Sequence, residues 1–160
     1  MSETVKLCVG VDPDSGSKGH GVAIYENGKL EYLYNWTLMQ FVDYLQPFVN
    51  GEKQTGNKSR PVFVIENVLA NSFIYSRNVQ ASKAAHAKVS NNVGRCQQAQ
   101  IELERVLEYF ECPYLLIKPT KENWANDTKR FKRMTGWEGK SNPETRSASY
   151  FGFLGCSKSA

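Results

Sequence analysis

The chain has 160 residues, of which 41% are hydrophobic, 22% charged and 12% aromatic, and its 20 lysines and arginines outnumber its 16 acidic residues by four. This is the composition of an ordinary globular protein, and it excludes a disordered chain, a collagen and a disulfide-rich miniprotein. The longest apolar runs, such as residues 61–65 and 114–117, are far shorter than the ~20 residues of a membrane helix. We expect one domain over residues 1–160 and no membrane span.

The first residues of the chain predict three strands. Residues 5–11 alternate and then run apolar up to Asp12, as a strand entering a sheet core does. Residues 21–25 and 30–36 are predicted strands, joined by the tight turn that Asn27-Gly28 favours. These three strands are expected to form an antiparallel meander.

The remainder of the chain predicts helices that alternate with single strands. Thr37 is expected to cap a helix whose apolar side chains recur every three or four positions up to Phe48. After it follow a continuously apolar strand, a loop with a helical part, a long helix, a short strand and a final helix, at residues 61–65, 67–90, 93–110, 114–117 and 145–154. A hairpin followed by crossover connections predicts an α/β fold with a mixed five-stranded sheet covered by helices.

The cysteines and histidines show no metal-binding spacing. Neither a CxxC pair nor a Cys/His cluster occurs among Cys8, Cys96, Cys112 and Cys156, which argues against zinc. The first residues lack the basic and apolar regions of a signal peptide, so a cytoplasmic protein is expected. In that reducing compartment, the cysteines are predicted to be separate buried or half-buried thiols. The isolated His20 and His86 are predicted to be structural or surface residues.

Positive charge is concentrated in the last two thirds of the chain. Four basic and seven acidic residues precede Asn57, and 16 basic and nine acidic residues follow it. Two basic segments interleaved with aromatic residues suit nucleic acid, whose bases can stack, and a solvated surface accounts for the charge equally well. The basic residues predicted to contact nucleic acid are Arg77, Lys83, Lys88, Lys118, Lys121, Lys129, Arg130, Lys132, Arg133 and Lys140, and the aromatic residues are Phe73, Tyr75, Trp124, Phe131 and Trp137.

Two acidic residues, Asp12 and Glu66, stand directly at the ends of apolar strands. An unpaired carboxylate there is unfavourable unless a positive charge neutralises it, and Mg²⁺ prefers such oxygen ligands. Either acid alone is explained better by a loop cap or an arginine partner, but together they favour a metal site. Glu144 opens the last helix, where the helix dipole favours an acid, and near the other two it would complete a three-carboxylate pocket. Asp14 is predicted to be a turn former.

These motifs resemble those of a known family. Residues 9–16, Val-Gly-Val-Asp-Pro-Asp-Ser-Gly, with Gly19 and Gly21, resemble the first motif of the RuvC-like Holliday-junction resolvases in the ribonuclease H-like superfamily. Residues 64–67 resemble the second acidic motif of that family, and residues 92–107 resemble the glycine-containing helix that follows it. Residues 113–119 resemble the fifth strand, and residues 143–148 resemble the C-terminal acidic helix. The resemblance covers most of the chain in the correct order.

The resemblance implies a ribonuclease H-like fold and a metal-dependent endodeoxyribonuclease that acts as a homodimer on branched DNA such as a four-way junction. It implies two Mg²⁺ or Mn²⁺ ions at each site, with Asp12 as the bridging acid and Glu66 and Glu144 as further catalytic ligands. The fourth ligand position falls on Ser147, where family members usually have Asp. Ser147 leaves open a weakened site, a site rearranged to use Asp14, and a module that binds branched DNA without cutting it.

A third class of protein ranks last. Sugar kinases and actin-like ATPases also open with an acidic, glycine-rich turn, but they need two such lobes and 160 residues supply one.

The sequence does not distinguish a four-way junction from a flap, a replication branch or an RNA-containing duplex. A homodimer would use residues 68–90 and the helix at residues 93–110 as candidate interface elements.

Overall fold

Five strands form one mixed sheet in this computed structural model, which describes residues 4–49, 56–70 and 83–156, with only the backbone for Val49 and residues 83–90. The strands are β1 (Leu7–Asp12), β2 (His20–Glu26), β3 (Lys29–Trp36), β4 (Val62–Glu66) and β5 (Tyr114–Ile117). Their order is β3-β2-β1-β4-β5. The pairs β1–β2 and β2–β3 are antiparallel, and the pairs β1–β4 and β4–β5 are parallel. The predicted mixed five-stranded sheet, with its first three strands antiparallel, is confirmed.

In the described part of the chain, four helices flank the sheet: α1 (Leu38–Val49), α2 (Lys83–Tyr109), α3 (Thr128–Thr135) and α4 (Pro143–Cys156). Short 3-10 turns lie at Val68–Ala70 and Trp124–Asn126. Helix α2 begins ten residues before the predicted start at residue 93. The prediction missed these first turns because they are polar and alanine-rich and show no periodic apolar face. Helix α3 was not predicted, because Phe131 is its one buried residue and a single apolar position shows no periodicity.

Alternating residues of β1 divide the core into two layers. Leu7, Val9 and Val11 are buried in the layer that also contains residues of α1 and α2. Cys8 is buried in the opposite layer, which contains residues of α3 and α4. Since successive strand residues point to opposite faces, Asp12 belongs to the α4 side of the sheet.

Two glycines allow α4 to lie directly on the sheet. A Cβ atom added at Gly10 would lie 2.1 Å from the carbonyl oxygen of Ala148, and one added at Gly21 would lie 2.3 Å from that of Glu144. Any larger side chain at either position would separate the helix from the strands. The close approach therefore brings the first turn of α4 beside the carboxyl end of β1.

The same packing joins two cysteines, which corrects a prediction. Cys8 and Cys156 form a disulfide with their Cα atoms 5.7 Å apart, so the prediction of separate thiols is wrong for this pair. Helix α4 runs antiparallel to β1, so its last residue reaches the beginning of the strand. A separation of 148 residues along the sequence hides this contact. Cys96 is a half-buried free thiol and Cys112 a buried one, as predicted.

Two of the aromatic residues predicted to stack on bases belong to the core instead. Trp124 is 2% exposed and Phe131 is fully buried, and both pack with Phe151 of α4. Trp137 is partly buried against the same layer. Phe73 and Tyr75 lie outside the described residues. In the described ranges, no helix combines the length and apolar character needed to cross a bilayer.

Candidate active site

The carboxyl groups of Asp12 and Glu66 meet at one edge of the sheet. Asp12 ends β1 and Glu66 ends β4. The two strands are parallel neighbours in which Val11 pairs with Ile65, so the residues that follow these partners lie side by side. The two carboxyl groups are half-buried and hydrogen-bonded to each other. The sequence-predicted pair is therefore adjacent in space.

This environment favours the protonated form of both acids. Burial raises the pKa of Asp12 well above its ordinary value, and the neighbouring Glu66, Asp14 and Glu144 raise it further, while a hydrogen bond from Ser147 lowers it. Burial also raises the pKa of Glu66, against the hydrogen bond to Asp12. Because two like charges at contact repel each other, a proton or a cation between the two carboxyl groups is favoured.

The nearby arginine of α4 does not neutralise this pair. The Arg146 guanidinium donates to the carbonyl oxygen of Ala125 at 2.8 and 3.0 Å and to the Ser141 hydroxyl at 3.0 Å. Among the side chains of residues 4–48, 56–70 and 91–156, none forms an ion pair with Asp12 or Glu66. The positive charge that two adjacent buried carboxylates require is thus not supplied by a described side chain.

Glu144 lines the same cleft as the pair. The cleft has a volume of about 340 Å³ and lies between the ends of β1 and β4, the α2 residues Val93 and Cys96, and the start of α4. In the part of the chain that the structure describes, no three His, Cys, Asp or Glu side chains lie close enough together to hold one metal ion. Glu144 faces the cleft without joining Asp12 and Glu66 in such a group.

Ser147 lies one turn along α4 and is 2% exposed. Its hydroxyl is hydrogen-bonded to the Asp12 carboxyl group. The start of the helix is fixed by Asn142 and Thr145, since each side chain accepts a hydrogen bond of 2.9 Å from the backbone N–H of the other. This capping arrangement and the contact at Gly10 hold Ser147 against the acid.

Asp14 and His20 shape the turn after β1. An Asp14 carboxylate oxygen accepts a 2.7 Å hydrogen bond from the Gly16 N–H, which is the predicted turn-forming role. The Asp14 N–H donates to Nδ1 of His20 at 3.2 Å. The His20 ring is 4% exposed and packs edge-on to Phe41 at 5.4 Å. His20 is thus a structural residue, as predicted.

His20 makes folding stability depend on pH. Burial lowers its pKa from 6.5 to about 4, so the unfolded chain binds the proton more tightly than the folded chain does. Stability is therefore lost as the pH falls from 6.5 to 4, by about 3 kcal/mol at full effect. We expect His20→Gln to remove this loss. Urea unfolding of both proteins across pH 4–7 measures it, and an unchanged difference between them at every pH would contradict the assignment.

Gln100 is a site residue that the sequence analysis missed. It is fully buried on α2, accepts a 2.8 Å hydrogen bond from the Val68 N–H and donates to Oδ1 of Asn67 at 3.0 Å and to Oε2 of Glu104 at 3.1 Å. These bonds hold the backbone that directly follows Glu66. A signal was present, since Gln100 occupies the same helix face as the apolar Leu103 and Leu107.

The predicted basic residues of the later segment are on the surface. Helix α3 buries Phe131 and exposes four basic side chains around it. Across the described residues, none of this segment's predicted contacts forms an ion pair; they are Lys118, Lys121, Lys129, Arg130, Lys132, Arg133 and Lys140. Arg77 lies outside the described residues, as do the side chains of Lys83 and Lys88. The structure thus gathers four of the ten predicted cations on one short helix.

Comparison with known proteins gives a distant structural likeness. No protein-family model matches the chain, and no curated protein matches it. The chain is similar to Thermus thermophilus RuvC in complex with a Holliday junction substrate, with 12% identity and a TM-score of 0.49, over 94% of this chain and 92% of that one. It is also similar to a second structure of Thermus thermophilus RuvC, with 14% identity and a TM-score of 0.48, over 94% and 93%.

Proposed function

We propose that the chain is a metal-dependent endonuclease that cuts branched DNA by hydrolysing phosphodiester bonds. The observation that carries this proposal is the Asp12–Glu66 pair, two adjacent half-buried carboxyl groups in an open cleft. A folded chain keeps such an unfavourable pair where a ligand or substrate compensates for it. The exposed cations of α3 and its flanks suit the phosphate backbone of nucleic acid.

The donor atoms in the cleft fit a divalent cation. Asp12 and Glu66 offer oxygen ligands, and two half-buried carboxyl groups side by side favour a positive charge between them. We propose two Mg²⁺ or Mn²⁺ ions for each site: Asp12 and Glu66 would hold one of them together, and Glu144, on the same cleft wall, would contribute to holding the other. When bound, such ions supply charge neutralisation and a reactive water for attack on phosphorus, with departure of the 3′ oxygen.

The remaining residues would position this site. Ser147 would hold Asp12 through its hydrogen bond, and Gln100 would hold the backbone after Glu66. Helix α3 would bind the phosphates of one DNA arm. Such contacts carry no sequence information, so shape would dominate recognition. Two cuts in one junction need two sites, so a two-fold homodimer is part of the proposal.

A cleavage panel tests this proposal. Purified protein is incubated with four-way, three-way, flap and linear DNA in Mg²⁺, in Mn²⁺ and in EDTA, and the products are separated on a denaturing gel. We expect cleavage of the branched substrates in either metal and none in EDTA. Equal cutting of linear DNA would reject the branched-substrate claim, and no cutting under any condition would reject the nuclease.

Ser147 supports a second candidate, a branched-DNA-binding module that does not cut. A neutral, buried hydroxyl already bonded to Asp12 is a weaker metal ligand than the acid expected there from the family resemblance. In this case, the wild type binds a junction without cutting it in Mg²⁺ or Mn²⁺, and Ser147→Asp is expected to create cleavage. Cleavage by the wild type at the outset excludes this candidate.

For the nuclease, we expect Ser147→Ala to lower the cleavage rate about tenfold, because one hydrogen bond to a charged group is lost at Asp12. Ser149→Ala is the matched control. Ser149 is equally buried on α4, and its hydroxyl donates to the carbonyl oxygen of Thr145 at 2.8 Å instead of to an acid. Single-turnover rates measure both variants, and equal losses in the two would mean that Ser147 has no specific role.

A further inference from the structure

A second cleft adjoins the first. It has a volume of about 260 Å³ and is lined by the turn after β1, including Asp14 and Lys18, and by Asn35 of β3 and Glu144 of α4. Asp14 and Glu144 also line the cleft that contains Asp12 and Glu66. The two clefts therefore lie next to each other and share the side chains of Asp14 and Glu144.

The Asn35 side chain presents a hydrogen-bond donor that has no partner among the described residues. Two hydrogen bonds at the cap of α4 determine which end of the Asn35 amide faces Asn142. Oδ1 of Asn142 accepts from the Thr145 N–H at 2.9 Å, so the Asn142 amide nitrogen is the group that donates to Oδ1 of Asn35, at 2.7 Å. With its oxygen engaged, Asn35 is left with a buried amide nitrogen that makes no hydrogen bond within the described chain. A buried donor of this kind calls for an acceptor from a ligand or from water.

The sheet register places this donor beside the acids. Gly21 of β2 pairs with Asp12 on one side and with Asn35 on the other, so Asn35 lies two strands from Asp12, at about 10 Å. All three residues share the α4 side of the sheet. Because each strand of a duplex carries one phosphate for roughly every 3.4 Å of its axis, neighbouring phosphates of a strand that occupies the first cleft fall within this distance.

We propose that Asn35 and Lys18 bind a phosphodiester group of the DNA strand that flanks the cut; this rests on the proposed function. The exposed Lys18 ammonium supplies charge and the Asn35 amide supplies a fixed hydrogen bond. One nearby acid is already engaged, because a carboxylate oxygen of Asp14 accepts from the Gly16 N–H. Glu144 is shared with the metal-binding cleft, where a cation would offset its charge.

Binding without cleavage tests the subsite. The affinity of a labelled four-way junction for the protein is measured by fluorescence anisotropy at several salt concentrations and a fixed Ca²⁺ concentration, without Mg²⁺ or Mn²⁺. Lys18→Gln should lower the slope of log K against log salt by about one unit, the loss of one phosphate contact. Asn35→Asp keeps the oxygen that Asn142 needs and replaces the donor by an anion, so it should weaken binding about tenfold. Lys29→Gln, at the other end of β3, is the matched charge control and should leave the slope unchanged.

The outcomes separate the subsite from the nuclease. Wild-type slopes for Lys18→Gln and wild-type affinity for Asn35→Asp, with melting temperatures unchanged, would overturn the subsite while the cleavage panel still decides the nuclease. A changed base preference at a constant salt slope would also overturn it, since that is the behaviour of base readout. Wild-type protein that fails to bind any DNA overturns both proposals.

Discussion

Asp12→Asn is expected to abolish metal-dependent cleavage of a four-way junction, by about a thousandfold or more, and to leave junction binding intact. The reason is local. Asp12 is the acid that contacts both Glu66 and Ser147, so its replacement removes a charge from the centre of the proposed ligand set. The proposed DNA contacts are cations elsewhere, and the substitution leaves those on α3 unchanged. Cleavage assays and anisotropy on the same preparations measure both effects.

The same substitution should stabilise the metal-free protein. Because the pKa of Asp12 is raised in the fold, the folded chain holds this proton more tightly than the unfolded chain does. Stability is therefore lost as the pH rises above the ordinary carboxyl range. Asparagine carries no charge and escapes that loss at pH 7. Asp43→Asn, at an exposed position of α1, is the matched control for both readouts. An unchanged cleavage rate for Asp12→Asn would contradict the assignment of Asp12 to the active site.

Gly10→Ala should have the largest effect on stability. Its new methyl group would lie 2.1 Å from the carbonyl oxygen of Ala148 and 2.7 Å from the backbone nitrogen of Gly152. Both atoms belong to helix backbone, so α4 must move as a unit. We expect a loss of roughly 3 kcal/mol or more, measured by urea unfolding. The displaced helix carries Ser147, so cleavage should fall as well.

Gly94→Ala provides the control for this prediction. Gly94 lies within α2, and a Cβ atom added there meets nothing within 4 Å. Alanine should therefore stabilise the protein by up to about 1 kcal/mol through its higher helix propensity. Equal stability of the two variants would contradict the proposed close packing of α4 on the sheet.

The strands were predictable because their signals are local. Alternation in β1, an Asn-Gly turn and a short apolar run before Glu66 each occupy a few consecutive residues. The turn residues Asn27 and Gly28 both have positive φ angles, 51° and 84°, as a tight hairpin requires. Helix α3 and the Cys8–Cys156 disulfide were not predictable in this way. A helix with one buried residue has no periodicity, and the disulfide depends on how α4 lies across β1.

In the candidate site too, the residues placed by local signals were predictable, and the residues placed by helix packing were not. The proximity of Asp12 to Glu66 follows from parallel strands whose carboxyl ends share an edge. The contacts of Ser147 and Gln100 follow from helix packing over long separations, and composition does not encode them. Trp124 and Phe131 were misassigned because a basic, aromatic segment has the same sequence pattern whether its rings are buried or exposed. In both cases, tertiary packing determined the role of the residue.

The most direct measurement is a calorimetric titration of purified, metal-free protein with Mn²⁺. Wild type and Asp43→Asn are expected to bind the ion saturably, and Asp12→Asn and Glu66→Gln are expected to lose most of that binding. Identical titrations for all four proteins would contradict the claim that the paired carboxyl groups at the ends of β1 and β4 hold the catalytic metal.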